Sequence, residues 1–228
     1  RTMEFALQIG GTMILGIDCS HWNTPDWAKL WLANYKFAWI KATEGTTWQD
    51  SAYWNHKRAA EAAGFKTGPY HYFRAAFDGR AQAQNLATLA GLDFFLPPSV
   101  DVERTGNTGT GQVLFQARLR ACLLEVEALM GVRPIIYTSK SMWEELVGTV
   151  AWAKEYDLWV ANYTTAIAPA IPKDWTEWKV WQHTDKPQDT NRMKDDYWAK
   201  LNEVPSDEVV LRLPRETAEE LHRAIHEI

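Results

Sequence analysis

The chain has little cysteine, no long apolar run and no strong excess of one charge. Only Cys19 and Cys122 occur among 228 residues, too few for a disulfide framework. Both are expected to be free thiols, Cys19 facing away from the interior that its neighbour Asp18 faces, and two thiols leave the redox compartment open. No segment approaches the about 18 continuous apolar residues of a membrane span, so no membrane insertion is expected. Net charge is −5 with acids and bases interspersed, which offers no electrostatic footprint for nucleic acid. Internal repeats and low-complexity runs are lacking too. None of the six histidines stands at metal-ligand spacing from another ligand type. Glycines 106 to 111 follow an apolar run but lack the Lys-Ser/Thr of a phosphate loop, and there is no G-x-S-x-G elbow. No metal or other cofactor is expected.

What the chain does have is aromatic residues and well-placed acids. The segment Pro97-Pro98-Ser99-Val100-Asp101-Val102-Glu103 puts two carboxylates two residues apart at the end of an apolar run. In a strand they share a face, with Cα atoms about 6–7 Å apart, close enough for one ionised carboxylate to keep its neighbour protonated. Other runs have the same form, apolar at the start and polar at the end: Ile14 to Ser20 with Asp18, Phe37 to Gly45 with Glu44, Gly68 to Phe73, Arg133 to Ser139, Asp157 to Tyr163 and Trp178 to Thr184. Between the early runs lie helix-like segments over about 50–63, 80–90 and 112–130, each followed by glycine, the usual left-handed cap. Strands alternating with helices, with polar residues at the strand ends, predict a (β/α) barrel with its site at the C-terminal mouth.

Thirteen tryptophans, eight tyrosines and eight phenylalanines exceed what a core of this size needs. Aromatic faces stack on the C–H faces of sugars, so those in or at the ends of predicted strands, Tyr70, Tyr72, Tyr137, Trp159 and Trp181, mark a carbohydrate cleft. Trp27, Trp31 and Trp54 are expected in ordinary packing contacts. Glu44 either faces the cleft or pairs with Lys41, and His71 and His21 are expected as satisfied groups rather than catalysts.

In order and spacing, the runs Gly16-Ile17-Asp18, Ile40-Lys41-Ala42-Thr43-Glu44-Gly45, Gly68-Pro69-Tyr70-His71-Tyr72-Phe73, Asp101-Val102-Glu103, Pro134-Ile135-Ile136-Tyr137-Thr138, Leu158-Trp159-Val160-Ala161-Asn162-Tyr163 and Trp181-Gln182 resemble the glycoside hydrolase family 25 muramidases over residues 14–193. The resemblance implies an irregular, TIM-barrel-like α/β fold with fewer than eight helices that cleaves the β-1,4 bond between N-acetylmuramic acid and N-acetylglucosamine in bacterial peptidoglycan, in a secreted lysozyme or a released phage endolysin. It implies catalytic roles for Glu103 as general acid, Asp101 as its partner, Asp18, and a fourth acid in a D-x-N motif on the last strand. Asp189-Thr190-Asn191 fits that motif, with Asp185 as rival. It also places Gln182 with the cleft residues. Net retention through the substrate's own N-acetyl group is favoured, because neighbouring acids on one strand reach the same side of the sugar. A barrel that has lost catalysis and binds glycan or protein in the same cleft is the alternative.

Residues 1–13 are expected to be an N-terminal extension, partly of cloning origin and without a signal-peptide core, and 14–201 the catalytic barrel. The tail 202–228 reads as a strand then an amphipathic helix, with three basic and seven acidic residues. It is expected to dimerise or dock, or else to fold back on the barrel.

Overall fold

A computed structural model describes residues 13–186 and 188–203. The extension before Met13, and the tail with its dimerisation reading from residue 204 on, lie outside the described residues. Nine strands are present: β1 (Met13–Cys19), β2 (Tyr35–Glu44), β3 (Trp48–Gln49), β4 (Lys66–Tyr72), β5 (Ser99–Asp101), β6 (Ile135–Ser139), β7 (Leu158–Ala161), β8 (Val180–Thr184) and β9 (Thr190–Lys194). Six α-helices accompany them: α1 (Trp27–Leu32), α2 (Tyr53–Ala62), α3 (Gly79–Ala90), α4 (Gln112–Met130), α5 (Lys140–Leu146) and α6 (Asp195–Asn202). The strands pair in the order β1-β9-β8-β7-β6-β5-β4-β2, and β1 pairs with β2 to close an eight-stranded barrel, with β3 attached to β2. This is the barrel expected from the alternating runs, with the irregularity and the fewer than eight helices that the resemblance implied.

Alternation along each strand divides the apolar residues into two layers. Phe37, Trp39, Leu96, Ile135, Trp159, Val180 and Met193 fill the bore. Ile17, Ile40, Val100, Ile136 and Val160 face outward onto α3, α4 and the loops. Trp39 and Trp159 stack in the bore with ring centroids 4.6 Å apart. Gly16 is dictated by this packing, since a Cβ there would lie 2.2 Å from the Phe37 ring. Both cysteines are free and buried in the outer layer, as expected.

The helices end where glycine was expected to end them. α3 is capped by the Asp78 carboxylate, which accepts from the Ala81 N–H at 2.9 Å, and stops at Gly91 (φ 62°). α4 stops at Gly131 in the left-handed region (φ 67°). Two features differ from expectation. β5 ends at Asp101, so Glu103 lies just beyond the strand in a loop held by buried Asn107. Asn107 Nδ2 donates to the carbonyls of Glu103 and Phe73, at 2.8 Å each, and its Oδ1 accepts from Ala75 N–H at 2.7 Å. Moreover β9 is antiparallel to both of its neighbours. Its first residue, Thr190, therefore pairs with Ile17 and Thr184 at the end where the parallel strands finish.

Candidate active site

Asp18, Asp101, Glu103 and Asp189 meet at this mouth. Asp18 is the last inward residue of β1, and its Oδ2 accepts from Gln182 Nε2 and Asn191 Nδ2, at 2.8 Å each. Both amides are fixed in orientation by their other ends. Gln182 Oε1 accepts the hydroxyls of Tyr137 and Tyr163, each at 2.7 Å, and Asn191 Oδ1 accepts the indole N–H of Trp159 at 2.8 Å. Burial still outweighs the two donors and, with the charge of Glu103, pushes the Asp18 carboxyl up to about 6.

Asp101 is more deeply desolvated. Burial first, then the neighbouring Glu103, push its carboxyl well above the usual range, with Lys41 opposing. Its Oδ1 is buried and has no hydrogen-bond partner among the described residues. Glu103 is raised by burial and by Asp189, again against Lys41. Asp189, in the turn before β9, is pushed up to about 7 by burial and by the charges of Asp18 and Asp185. The antiparallel course of β9 explains how a residue on the N-terminal side of its strand reaches the mouth. Four mutually repelling carboxyls in one partly dry pocket cannot all ionise near neutrality, so part of the set stays protonated.

Tyr70, Tyr137 and Trp159 line the small cavity between Asp18 and Asp101. Tyr72 faces the same way and donates its hydroxyl to the Thr105 carbonyl at 3.0 Å. Trp181 is not brought to the mouth. It lies between inward Val180 and inward Gln182, so it points into the outer layer and donates its indole N–H to the Asn162 carbonyl at 2.7 Å. Glu44 is ion-paired: Lys41 Nζ lies 2.7 Å from its Oε2, and Arg74 bonds its Oε1. His71 is a satisfied core group between Thr43 Oγ1 (2.7 Å) and Gln82 Oε1 (3.1 Å), and burial pulls it down to about 4.

Sequence reasoning passed over four groups here. Asn191 donates to Asp18, Tyr163 orients Gln182 as the other donor, Asn107 pins the backbone of Glu103, and Lys41 stands beside the acids. The inward period Phe37, Trp39, Lys41 on β2 was the available signal for the last of these. On the rim, His21 bonds buried Asp50 at 2.9 Å, and its ring packs 4.4 Å from Trp22 and 5.3 Å from Trp48. Trp22 is 82% exposed, leaving an aromatic shelf open to solvent beside the mouth. Among the described residues, no group of three or more His, Cys, Asp or Glu side chains is placed to hold a metal ion.

Carboxyls gathered at the mouth of a barrel, with burial raising each of them, are an arrangement suited to acid-assisted glycoside cleavage. The family model for glycosyl hydrolases family 25 matches residues 17–191, and the chain belongs to that family. Lysozyme M1 of Streptomyces globisporus is 31% identical over 184 residues, which cover 75% of this chain. The match spans 62% of that relative's own length. Two solved structures are also similar. The muramidase from Acremonium alcalophilum is 29% identical with TM-score 0.76, over 82% of this chain and 96% of its own. The family GH25 lysozyme from Aspergillus fumigatus is 27% identical with TM-score 0.78, over 83% and 99%.

Proposed function

We propose that this protein is a peptidoglycan muramidase that hydrolyses the β-1,4 bond between N-acetylmuramic acid and N-acetylglucosamine, acting on the bacterial wall after secretion or release. The observation that carries this reading is the pairing of Glu103, whose carboxyl burial raises, with Asp101, whose Oδ1 is buried and has no hydrogen-bond partner among the described residues. Glu103 donates its proton to the glycosidic oxygen as the bond to the anomeric carbon breaks. The carbonyl oxygen of the N-acetyl group on that sugar attacks the anomeric carbon, and the acetamido N–H donates to Asp101 Oδ1, which stabilises the cationic ring so formed. The Glu103 carboxylate then takes a proton from the water that opens this ring, giving net retention. Asp18 and Asp189 supply negative charge around the oxocarbenium-like transition state. The Trp22–His21–Trp48 shelf provides stacking area for a further sugar of the strand.

Turbidity clearing of purified bacterial walls tests this. Wild-type protein is expected to clear them, and Glu103→Gln, whose amide cannot donate the proton, to be slower by about 10²–10⁴ with an unchanged far-UV spectrum. Retention of a tenth of the wild-type rate would remove Glu103 from the mechanism. An inverted product anomer by NMR, or a covalent sugar adduct on Asp101 or Asp189 with a fluorinated substrate, would overturn assistance by the N-acetyl group.

A further inference from the structure

Lys41 faces inward on β2, level with Tyr70 and just before a register shift that sets Glu44 level with Tyr72, and its side chain is only 11% exposed. Three groups fix the ammonium: Glu44 Oε2 at 2.7 Å, the Tyr72 ring with its centroid at 4.7 Å, and the Trp48 ring at 5.0 Å. The Glu44 carboxylate is itself held from the far side. Arg74 Nε donates to Oε1 at 2.8 Å, a second guanidinium nitrogen bonds the same oxygen, and Nη1 donates to the Thr105 carbonyl at 2.6 Å. The backbone of Arg74 is tied to α3, because Gln82 accepts its N–H at 2.8 Å and donates to its carbonyl at 2.9 Å.

The clamp has a direction and a net charge. Tyr72, under the ammonium, pairs in register with Asp101 across β4 and β5. The field of Lys41 reaches both Asp101 and Glu103, and for Glu103 it is the largest influence after burial. Lys41 and Arg74 against Glu44 leave one positive charge beside the acids. The groups facing Lys41 are Glu44 on its own strand, Tyr72 and Arg74 from β4 and its loop, and Asp101 and Glu103 from β5 and beyond. Asp18 and Asp189 stand among those acids, and His71 on the outer face of β4 also feels the ammonium.

We propose that Lys41, clamped by Glu44 and Arg74, is the positioning residue of the acid cluster: its ammonium holds the Asp101–Glu103 pair in the singly ionised form, with one proton to donate and one carboxylate to receive the acetamido N–H. This rests on the muramidase reading for its catalytic meaning, but the charge effect itself does not. Without the ammonium, the pair keeps both protons to higher pH and then loses the second one later as well.

The test uses Lys41→Met and Lys41→Arg in the full chain, with Lys41→Gln as a substitute if the methionine variant does not fold. Carboxyl-carbon NMR without substrate follows the ionisation of Asp101 and Glu103. In Lys41→Met the lower midpoint of the pair is expected to rise by about 1 unit or more, and in Lys41→Arg to stay within about 0.3 unit of wild type. Both limbs of the kcat/KM pH profile on solubilised glycan strands should move up by the same amount in Lys41→Met. Loss of rate with both limbs and both midpoints unmoved would make Lys41 merely structural and overturn the proposal. If wild-type protein clears no walls yet the midpoints shift as stated, the charge effect stands and the muramidase reading is what fails.

Discussion

Asp18 is oriented by amides whose own orientation is decided elsewhere. An amide offers an acceptor on one side and donors on the other, so whatever fixes one end fixes what the other presents. The Trp159 indole on Asn191 Oδ1 turns the Asn191 NH2 toward Asp18, and the Tyr137 and Tyr163 hydroxyls do the same for Gln182. Trp159→Phe would orphan a buried acceptor and let Asn191 turn its oxygen toward the carboxylate. Trp39 gives a matched control, since its indole donates to the Pro97 carbonyl at 2.9 Å in the same bore without touching an acid. Each substitution should lower stability by about 1–3 kcal/mol for the orphaned acceptor alone, measured by urea unfolding. Trp159→Phe should also lose about tenfold in wall-clearing rate, the equivalent of about 1.4 kcal/mol in transition-state stabilisation, while Trp39→Phe keeps most of it. Equal losses of rate in the two variants would show that Asn191 does not act through Asp18. Trp181 and Gln182 are adjacent on one strand, so both cannot face the bore, and the alternation with Val180 already chose Gln182.

At the scale of elements, the parallel strands were legible because each is an apolar run closed by polar residues, and α3 and α4 because a glycine ends each. β9 was not legible as an antiparallel strand. Its sequence, Thr190-Asn191-Arg192-Met193-Lys194, carries no apolar run, because only Asn191 and Met193 are buried and one of these is polar. Its course matters all the same, since only an antiparallel β9 delivers Asp189 to the mouth where the other strands finish. The β1–β2 seam that completes the barrel depends on Gly16, which leaves room for the Phe37 ring of the adjacent strand. Gly16→Ala forces its new methyl against that ring at the point of closure. The expected result is a loss of at least about 3 kcal/mol, since overpacking costs about 1–3 kcal/mol and the seam leaves little room to relax. Gly131→Ala has nothing within 4 Å of the new Cβ and is strained only by its left-handed backbone, so it should cost about 1 kcal/mol. A Gly16→Ala protein that melts with Gly131→Ala would mean the seam yields more readily than its contact distances indicate.

For the molecule as a whole, gathering acids into a half-dry mouth opposes stability, and the sign of that opposition fixes a pH dependence. Asp189 has its carboxyl raised from an ordinary 3.8 to about 7. Between those values the folded protein binds more protons than the unfolded chain, so stability falls as pH rises through that window. Asp18, raised to about 6, acts in the same direction from 3.8 upward. His71 works the other way: its folded value of about 4 lies below the ordinary 6.5, so stability is lost as pH falls between the two. Above pH 6.5 the acids act without that opposition. Asp189→Asn removes one of them while keeping the side chain's size. It should raise Tm at pH 8, by an amount worth about 1 kcal/mol because solvent at the open mouth screens the charge. That gain should shrink steadily as pH falls through 7 toward 4, where the wild-type carboxyl is protonated and costs nothing extra. Wall clearing should fall in the same variant, since the charge that destabilises the fold is the one proposed to stabilise the transition state. Thermal melts of wild type and Asp189→Asn at pH 5 and pH 8 decide the point: a Tm difference that does not change with pH would mean that the Asp189 carboxyl titrates alike in folded and unfolded chains.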